Sequence, residues 1–396
     1  MEAYLLDWLN LLLRWLHMIA GIAWIGASFY FVMLDNSLKV PQKAEDAKRG
    51  VLGELWAVHG GGFYVSQKFP TGPKGEPLTE DLHWSKWEAY TTWLSGMGLL
   101  AIIYWLGAST YLVDKSVLDI SPPVGVALSV AVIVGGWLVY DTLCKLLGGD
   151  ENVLAVLLLV FVVAMSWALF HVFGARAAYM HVGAMLGTIM VANVFFVIIP
   201  GQKQMVAEIR AGRDPDPAPG AAGKQRSVHN TYFTLPVLFV MISNHYPMTF
   251  GNRYGWLVLA VIMLAGVLIR QFFVLRHKGM VKPALPIVAC LSLAGVAAAI
   301  APSASWPGGD KVAFSTVQDV INRRCVGCHA AQPHQEGFAQ PPKGVILETA
   351  EQIVALAPKI NETVTTRYMP IGNLTQMTDG ERALIGAWFA QGAKSK

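Results

Sequence analysis

Apolar runs near the roughly 20 residues that a membrane-spanning helix needs recur along the first 301 positions of this 396-residue chain. Eight are predicted, at 5–34, 89–113, 122–147, 152–173, 177–200, 228–246, 254–275 and 284–301. In lipid every backbone polar group must be satisfied within the fold, so runs of this length predict helices. Charged residues make up 14% of the chain, against about 25% in soluble domains, and mean hydropathy is +0.45. A net charge of +4, diluted among so many apolar residues, does not suggest nucleic-acid binding. The first run is not a cleavable signal: Glu2 and Asp7 flank it, it is too long, and no small-residue cleavage pattern follows promptly.

Basic residues assign the sides. The odd-numbered connections hold sixteen Lys and Arg, from Lys39 to Lys282, Arg226 among them, whereas the even-numbered ones hold only Lys115, Arg176 and Arg253. The expectation is a multi-pass protein of a bacterial inner membrane with both termini on the periplasmic side. The connection 35–88 carries a triple glycine, Gly60-Gly61-Gly62, which permits either close approach of a ligand or a flexible turn. The Pro-rich stretch 212–223 reads as a connector without visible chemistry.

From Pro302 the apolar runs stop. The expected organisation is a membrane domain over 1–301, a linker over 302–310 and a small domain over 311–396. The last contains Cys325-Val326-Gly327-Cys328-His329. Two thiols at i and i+3 followed at once by His suit thioether attachment of one haem, with the imidazole on its iron. Zinc would need two further ligands at similar spacing, and no second Cys pair exists. Met369, in Tyr368-Met369-Pro370, is the expected sixth ligand, and Met377 is its nearby rival. Predicted helices 314–324 and 378–391 flank these residues, the second opening on a Thr-Asp-Gly-Glu capping box. This ordering resembles a class I cytochrome c. The expected fold class is therefore all-α: an eight-span helical bundle followed by a small helical cytochrome c domain. Covalent haem c is normally attached outside the bacterial inner membrane, where the charge count also puts the tail.

An ionisable residue within a span is a functional candidate, because its burial in hydrocarbon is costly. His17, His171, His181 and His245 qualify. Arg14, His17, Gly21, Trp24 and Ser28 share one helical stripe. Two readings are open there: a haem b on His17 with Arg14 on a propionate, or small-residue helix packing around a hydrogen-bonded histidine. The other three histidines are weaker candidates to bind one or two haem b groups. Asp141 and Arg270 lie near span ends and are expected to reach the interface, and Cys144 and Cys290 to be inert buried thiols.

Three function classes fit a membrane chain with its own cytochrome: an electron-transfer subunit of an oxidase, a purine transporter with a redox tail, and an enzyme that oxidises a small molecule. The clustered histidines of a haem–copper site and the paired in-helix histidines of a cytochrome b are missing. Three stretches favour the enzyme: RWLHMIAGIAWIGASFYFVMLD from Arg14, ELWAVHGGGFY from Glu54 and HNTYFTLPVLFVMISNHYP from His229. They resemble the membrane-bound, cytochrome c-linked urate oxidases, or urate hydroxylases. The first span also resembles the first helix of haem-binding membrane protoporphyrinogen oxidases, which favours haem at His17.

The resemblance implies oxidation of urate to 5-hydroxyisourate with oxygen taken from water. Electrons would leave through haem c to a soluble cytochrome c or a terminal oxidase, without peroxide. Such a site needs donors that grip a planar anion and a base. His59 with His229, Asn230 and Thr231 supplies them on the expected cytoplasmic side, and Asn244-His245-Tyr246 a similar set outside. The inner set suits cytosolic urate and would need a haem b relay through His17. The inner set with its relay is the expectation.

Overall fold

The computed structural model of the chain describes residues 2–301, 311–335 and 337–395. The expected linker, 302–310, lies outside the described residues. The protein is mostly helical. Its first helix, α1, runs Glu2–Ser37, and a short α2, Ala44–Lys48, follows. After strands β1 (Gly53–His59) and β2 (Gly62–Lys68) comes α3 (Trp87–Leu100), continued by π-helical turns at Ala101–Trp105 and Ala108–Leu112. Next are α4 (Pro122–Leu147), α5 (Glu151–Phe170) and α6 (Ala175–Ala192), the last passing through a π-helical turn, Asn193–Ile198, into α7 (Ile199–Arg210). Helices α8 (Pro217–Ser243), α9 (Pro247–Phe250), α10 (Gly255–His277) and α11 (Ala284–Ala299) complete this part.

Among the described residues, five helical stretches are long and apolar enough to cross a membrane: Tyr4–Ser37, Pro122–Leu147, Glu151–Phe170, Ala175–Arg210 and Gly255–His277. The other expected spans differ from the sequence reading for local reasons. The second is a 14-residue helix that loosens into π turns. The sixth starts at Pro217, inside the stretch read as a connector, so polar residues dilute it. The eighth is 16 residues long. The fifth does not stop at Pro200, because the π turn before it leaves proline in the first turn of α7, where no N–H is needed.

The all-α expectation is also corrected. Residues 53–68 form an antiparallel hairpin in which Trp56 pairs with Val65 and His59 with Gly62. Gly60 and Gly61 make its turn with φ of +58° and +81°, so the triple glycine is a hairpin tip. An ion pair between Lys68 and Asp35 ties the hairpin to the end of α1.

Helix α6 is the spine of the bundle. Tyr179, His181, Val182, Met185 and Leu186 on it are fully buried, enclosed by α4, α5, α8 and α3. Such enclosure needs places where backbones approach. A methyl group on Gly183 would overlap Val240 of α8, and one on Gly136 of α4 would overlap Met185. By contrast, nothing lies within 4 Å of the position a methyl group would take on Gly187.

The C-terminal unit has its own core, built from residues such as Val317, Ile321, Ile353, Ile360, Ile385 and Trp388. Its helices are α12 (Phe314–Arg324), α13 (Ala350–Ala355), α14 (Ala357–Thr365) and α15 (Asp379–Ala390). The Thr378 hydroxyl accepts from the Glu381 N–H, and the Glu381 carboxylate accepts from the Thr378 N–H, so α15 opens on a full capping box.

This packing gives a signed expectation. In an open helix, Gly→Ala stabilises by up to about 1 kcal/mol, and Gly187→Ala is expected to raise the thermal midpoint of the detergent-purified protein. Gly183→Ala is expected to lower it, because overpacking costs roughly 1–3 kcal/mol. Equal shifts of the same sign in thermal unfolding followed by circular dichroism would contradict the central position of α6.

Candidate functional site

A polar network crosses the bundle at the end of α4 and the start of α8. Tyr140 of α4 shares a hydrogen bond with His229 Nδ1 at 2.8 Å and accepts from Asn193 Nδ2 at 2.9 Å. The same Asn193 amide also donates to Asn230 Oδ1 at 2.8 Å, and Asn230 Nδ2 donates to Met190 O at 3.0 Å. Asn193 reaches this point because the helix loosens into its π turn there, a common device at functional sites. Beside it Arg226, buried, donates to Asp141 at 2.7 Å and lies over the Tyr140 ring at 5.0 Å. Two buried atoms of this network have no partner: the donor Arg226 Nη1 and the acceptor Asn193 Oδ1. A cleft of about 260 Å³ adjoins, lined by Trp137, Asp141, Lys145, Phe196 and Val197, with the Trp137 and Phe196 rings stacked at 5.9 Å.

Of the residues expected here, the structure brings together His229 and Asn230. Thr231 is buried but turns its hydroxyl back to Ser227 O at 3.1 Å on its own helix. His59 sits exposed at the hairpin tip and makes no hydrogen bond to the network. Tyr140, Asn193, Arg226 and Asp141 were not expected. Arg226 reads as a loop cation in sequence but is buried in α8, and its carboxylate partner lies 85 residues away. Arg270 likewise does not reach the interface: it is buried with its guanidinium over the Phe29 ring at 4.1 Å.

The intramembrane histidines do not converge. His181 donates from Nδ1 to Ala177 O at 2.7 Å, and its Nε2 accepts from Ser129 Oγ at 2.7 Å. Neither ring nitrogen is left for iron. His171 donates to Trp167 O and stacks on that indole, and His245 is exposed beyond the end of α8. His17 donates from Nδ1 to Thr92 O at 2.9 Å, with its ring in the notch left by Gly96 of α3. A methyl group on Gly21 would stand at ordinary contact distance, 3.9 Å from Thr92 and Met241. Of the four histidines only His181 has both ring nitrogens engaged, whereas the hydrogen bonds of His17 go to Nδ1 alone.

The tail fits its group better. Burial pushes the Cys325 thiol up to about 12, and the Cys328 thiol upward as well, and neither is tied up in a disulfide. His329 donates from Nδ1 to Val345 O at 3.0 Å, which fixes its orientation and leaves Nε2 as the nitrogen that could reach a metal. Met377 is packed in the core, whereas Met369 is half-buried on the loop after α14. That loop is held from both sides: Met369 N donates to Thr363 O at 2.9 Å, and buried Arg382 donates to Met369 O at 2.6 Å, Val364 O at 2.8 Å and Asn373 Oδ1 at 3.1 Å.

The same loop seats the tail on the membrane part, at the end opposite Arg226. Tyr368 packs against the membrane core. A methyl group on Gly372 would lie 2.6 Å from Thr110 O, and one on Gly251 would overlap Thr366, so both glycines allow backbone to rest on backbone. No curated protein and no solved structure matches the chain. A family model described as urate oxidase N-terminal matches residues 3–301. With its membrane part matched end to end, the chain belongs to the urate oxidase N-terminal family.

Proposed function

We propose that the chain oxidises urate to 5-hydroxyisourate, urate and water giving product, two protons and two electrons. On this reading its C-terminal unit passes the electrons to a soluble cytochrome c or a terminal oxidase. The membership of 3–301 in a urate oxidase family supports the substrate. One observation carries the site: a buried unpartnered donor, Arg226 Nη1, and a buried unpartnered acceptor, Asn193 Oδ1, flank a tyrosine–histidine pair beside the Trp137–Phe196 cleft. That set matches a flat oxopurine anion, which offers acceptors, N–H donors and a π face.

The roles follow from the donors. Arg226 Nη1 compensates the purine's negative charge, and Asn193 Oδ1 accepts from a ring N–H. Tyr140 takes a proton from the purine or its attacking water as it gives its own to His229 Nδ1, so the pair acts as one base. Asn230 holds the Asn193 amide. A covalent haem c, when held by Cys325, Cys328, His329 and Met369, stores and releases single electrons. The eight-span arrangement includes α3, α8 and α11 with the five longer stretches. It places the tail on the periplasmic side of a bacterial inner membrane, and the basic connections support it.

Anaerobic urate is expected to reduce the haem c of the purified protein, followed by its visible spectrum. In Arg226→Gln and His229→Gln the rate is expected to fall at least about tenfold, the effect of some 1.4 kcal/mol, with haem content unchanged. Reduction by a quinol but not by urate would sink the enzyme reading in favour of an electron-transfer subunit. Uptake of labelled urate without oxidation would favour a transporter.

A second expectation concerns Arg382. Its three hydrogen bonds fix the Met369 loop, so Arg382→Gln is expected to weaken methionine ligation. The methionine–iron charge-transfer band should fade and the reduction potential fall, while haem stays attached on a denaturing gel. Arg382→Lys, which keeps one donor, is expected to retain part of the band. An unchanged band in Arg382→Gln would remove this role.

A further inference from the structure

The seated end of the bundle holds a second polar pocket, of about 230 Å³, between α1, the π-helical continuation of α3, and α6. Arg14 and Arg176 both line it, with Tyr111, and Ile102 and Ile103 form its apolar wall. Each guanidinium is held from behind by an asparagine. Arg14 donates from Nε to Asn10 Oδ1 at 2.6 Å, and Arg176 from Nε to Asn244 Oδ1 at 2.8 Å. Among the described residues no carboxylate pairs with either arginine, although Asp7 also lines the pocket. Neither fork is thus neutralised by a carboxylate. The Tyr104 hydroxyl, 3% exposed, makes no hydrogen bond of good geometry and lies beside the Arg176 guanidinium.

Two like charges pointed into one concavity repel each other unless an anion lies between them. A buried phenol without a well-formed hydrogen bond is costly for the same want of an acceptor. Planar forks favour planar acceptors that take two hydrogen bonds at once. The Tyr111 ring, with Arg176 above it at 5.9 Å, offers a face for stacking. The volume lies below the roughly 300–1,000 Å³ of drug-sized sites, so the occupant is small. Thr110, which carries the tail's Gly372, adjoins Tyr111 in the chain, so the occupant lies beside the tail's seat.

We infer that this pocket is a second anion-binding site, for a small planar organic anion of the urate type, distinct from the network around Arg226. The inference rests on urate as the substrate class but not on which site performs the oxidation. The test is urate binding to the full-length, haem-loaded protein in nanodiscs, kept reduced by dithionite so that no turnover occurs. Equilibrium dialysis of labelled urate should find two sites per chain. Arg14→Gln combined with Arg176→Gln should leave one, and Arg226→Gln should leave the other. Tyr104→Phe, which keeps the packing and removes only the hydroxyl, should weaken the outer site several-fold. One site in the unaltered protein, lost only with Arg226→Gln, would overturn the inference and leave the proposed function standing. No binding at either site would overturn both. Native mass spectrometry showing an anionic phospholipid retained by the unaltered protein and released by the double variant, with urate unable to displace it, would assign the pocket to lipid and overturn the inference.

Discussion

The enclosure of α6 is the constraint on which the rest of the membrane part depends. A helix surrounded on all sides in an apolar bundle has to satisfy every polar group it carries through its neighbours. This helix and its π-helical continuation carry five polar side chains; Tyr179 and Thr188 are met by neighbouring elements, and the other three stand at three heights. Arg176 stands in the first turn, His181 lies one and a half turns further on, and Asn193 opens the π turn. From Arg176 to Asn193 the rise is about 26 Å at 1.5 Å per residue, close to the thickness of the hydrocarbon core. The middle group is fully satisfied, with both nitrogens of His181 engaged. The outer two are oriented but incomplete. Asn193 keeps a free oxygen, and Arg176, held through Nε by Asn244, has no carboxylate partner among the described residues. Structure is thus concentrated in the middle of the spine and open chemistry at its ends.

How much of this is legible in sequence depends on how local each determinant is. The helix 314–324, the haem-attachment motif and the Thr378–Glu381 capping box are written within a few residues, and the structure has both helices where those residues put them. The hairpin was missed because its signal, three glycines between aromatic residues, competes with a reading as a ligand-approach loop. The candidate network was only half legible. His229 and Asn230 stand out as polar residues in an apolar run, but tyrosines near span ends read as interface anchors, which hid Tyr140. The Asp141–Arg226 pair joins two helices 85 residues apart, a separation no local pattern records. The π turn that aims Asn193 has no residue signature in its Asn-Val-Phe-Phe run, since it is set by tertiary packing.

The histidines carry a signal with more than one meaning. In hydrocarbon an imidazole costs free energy unless both its polar atoms are met, and a metal is only one way to meet them. At His181 a serine and a carbonyl suffice, with the indole of Trp105 donating at 2.9 Å to the same serine oxygen. At His17 the carbonyl of Thr92 takes the proton, and it is Gly96 of α3, where a methyl group would overlap the His17 ring, that brings α3 against α1. Glycine beside histidine in a span therefore reports close helix approach as readily as a cofactor. The neighbours' atoms decide between the two.

Without a haem b relay the seat of the tail would have more to do. Electrons leaving a substrate held near Arg226 would have to cross most of the bundle, because the Met369 loop rests on Thr110 at the other end. A substrate held between Arg14 and Arg176 would lie beside that loop. Tyr368 makes the contact intimate: it belongs at once to the loop that carries Met369 and to the packed core that contains Tyr104, Phe173 and Tyr179. The backbone contacts at Gly251 and Gly372 fix the contact, since a side chain at either position would force the two units apart. A tail tethered only by a flexible connector would sample many orientations, whereas one seated through two glycines and a buried tyrosine presents the same face to the bundle at every turnover. On the proposed function, that fixed face would make the position of the anion along α6, and not the mobility of the tail, the variable that sets how fast electrons leave.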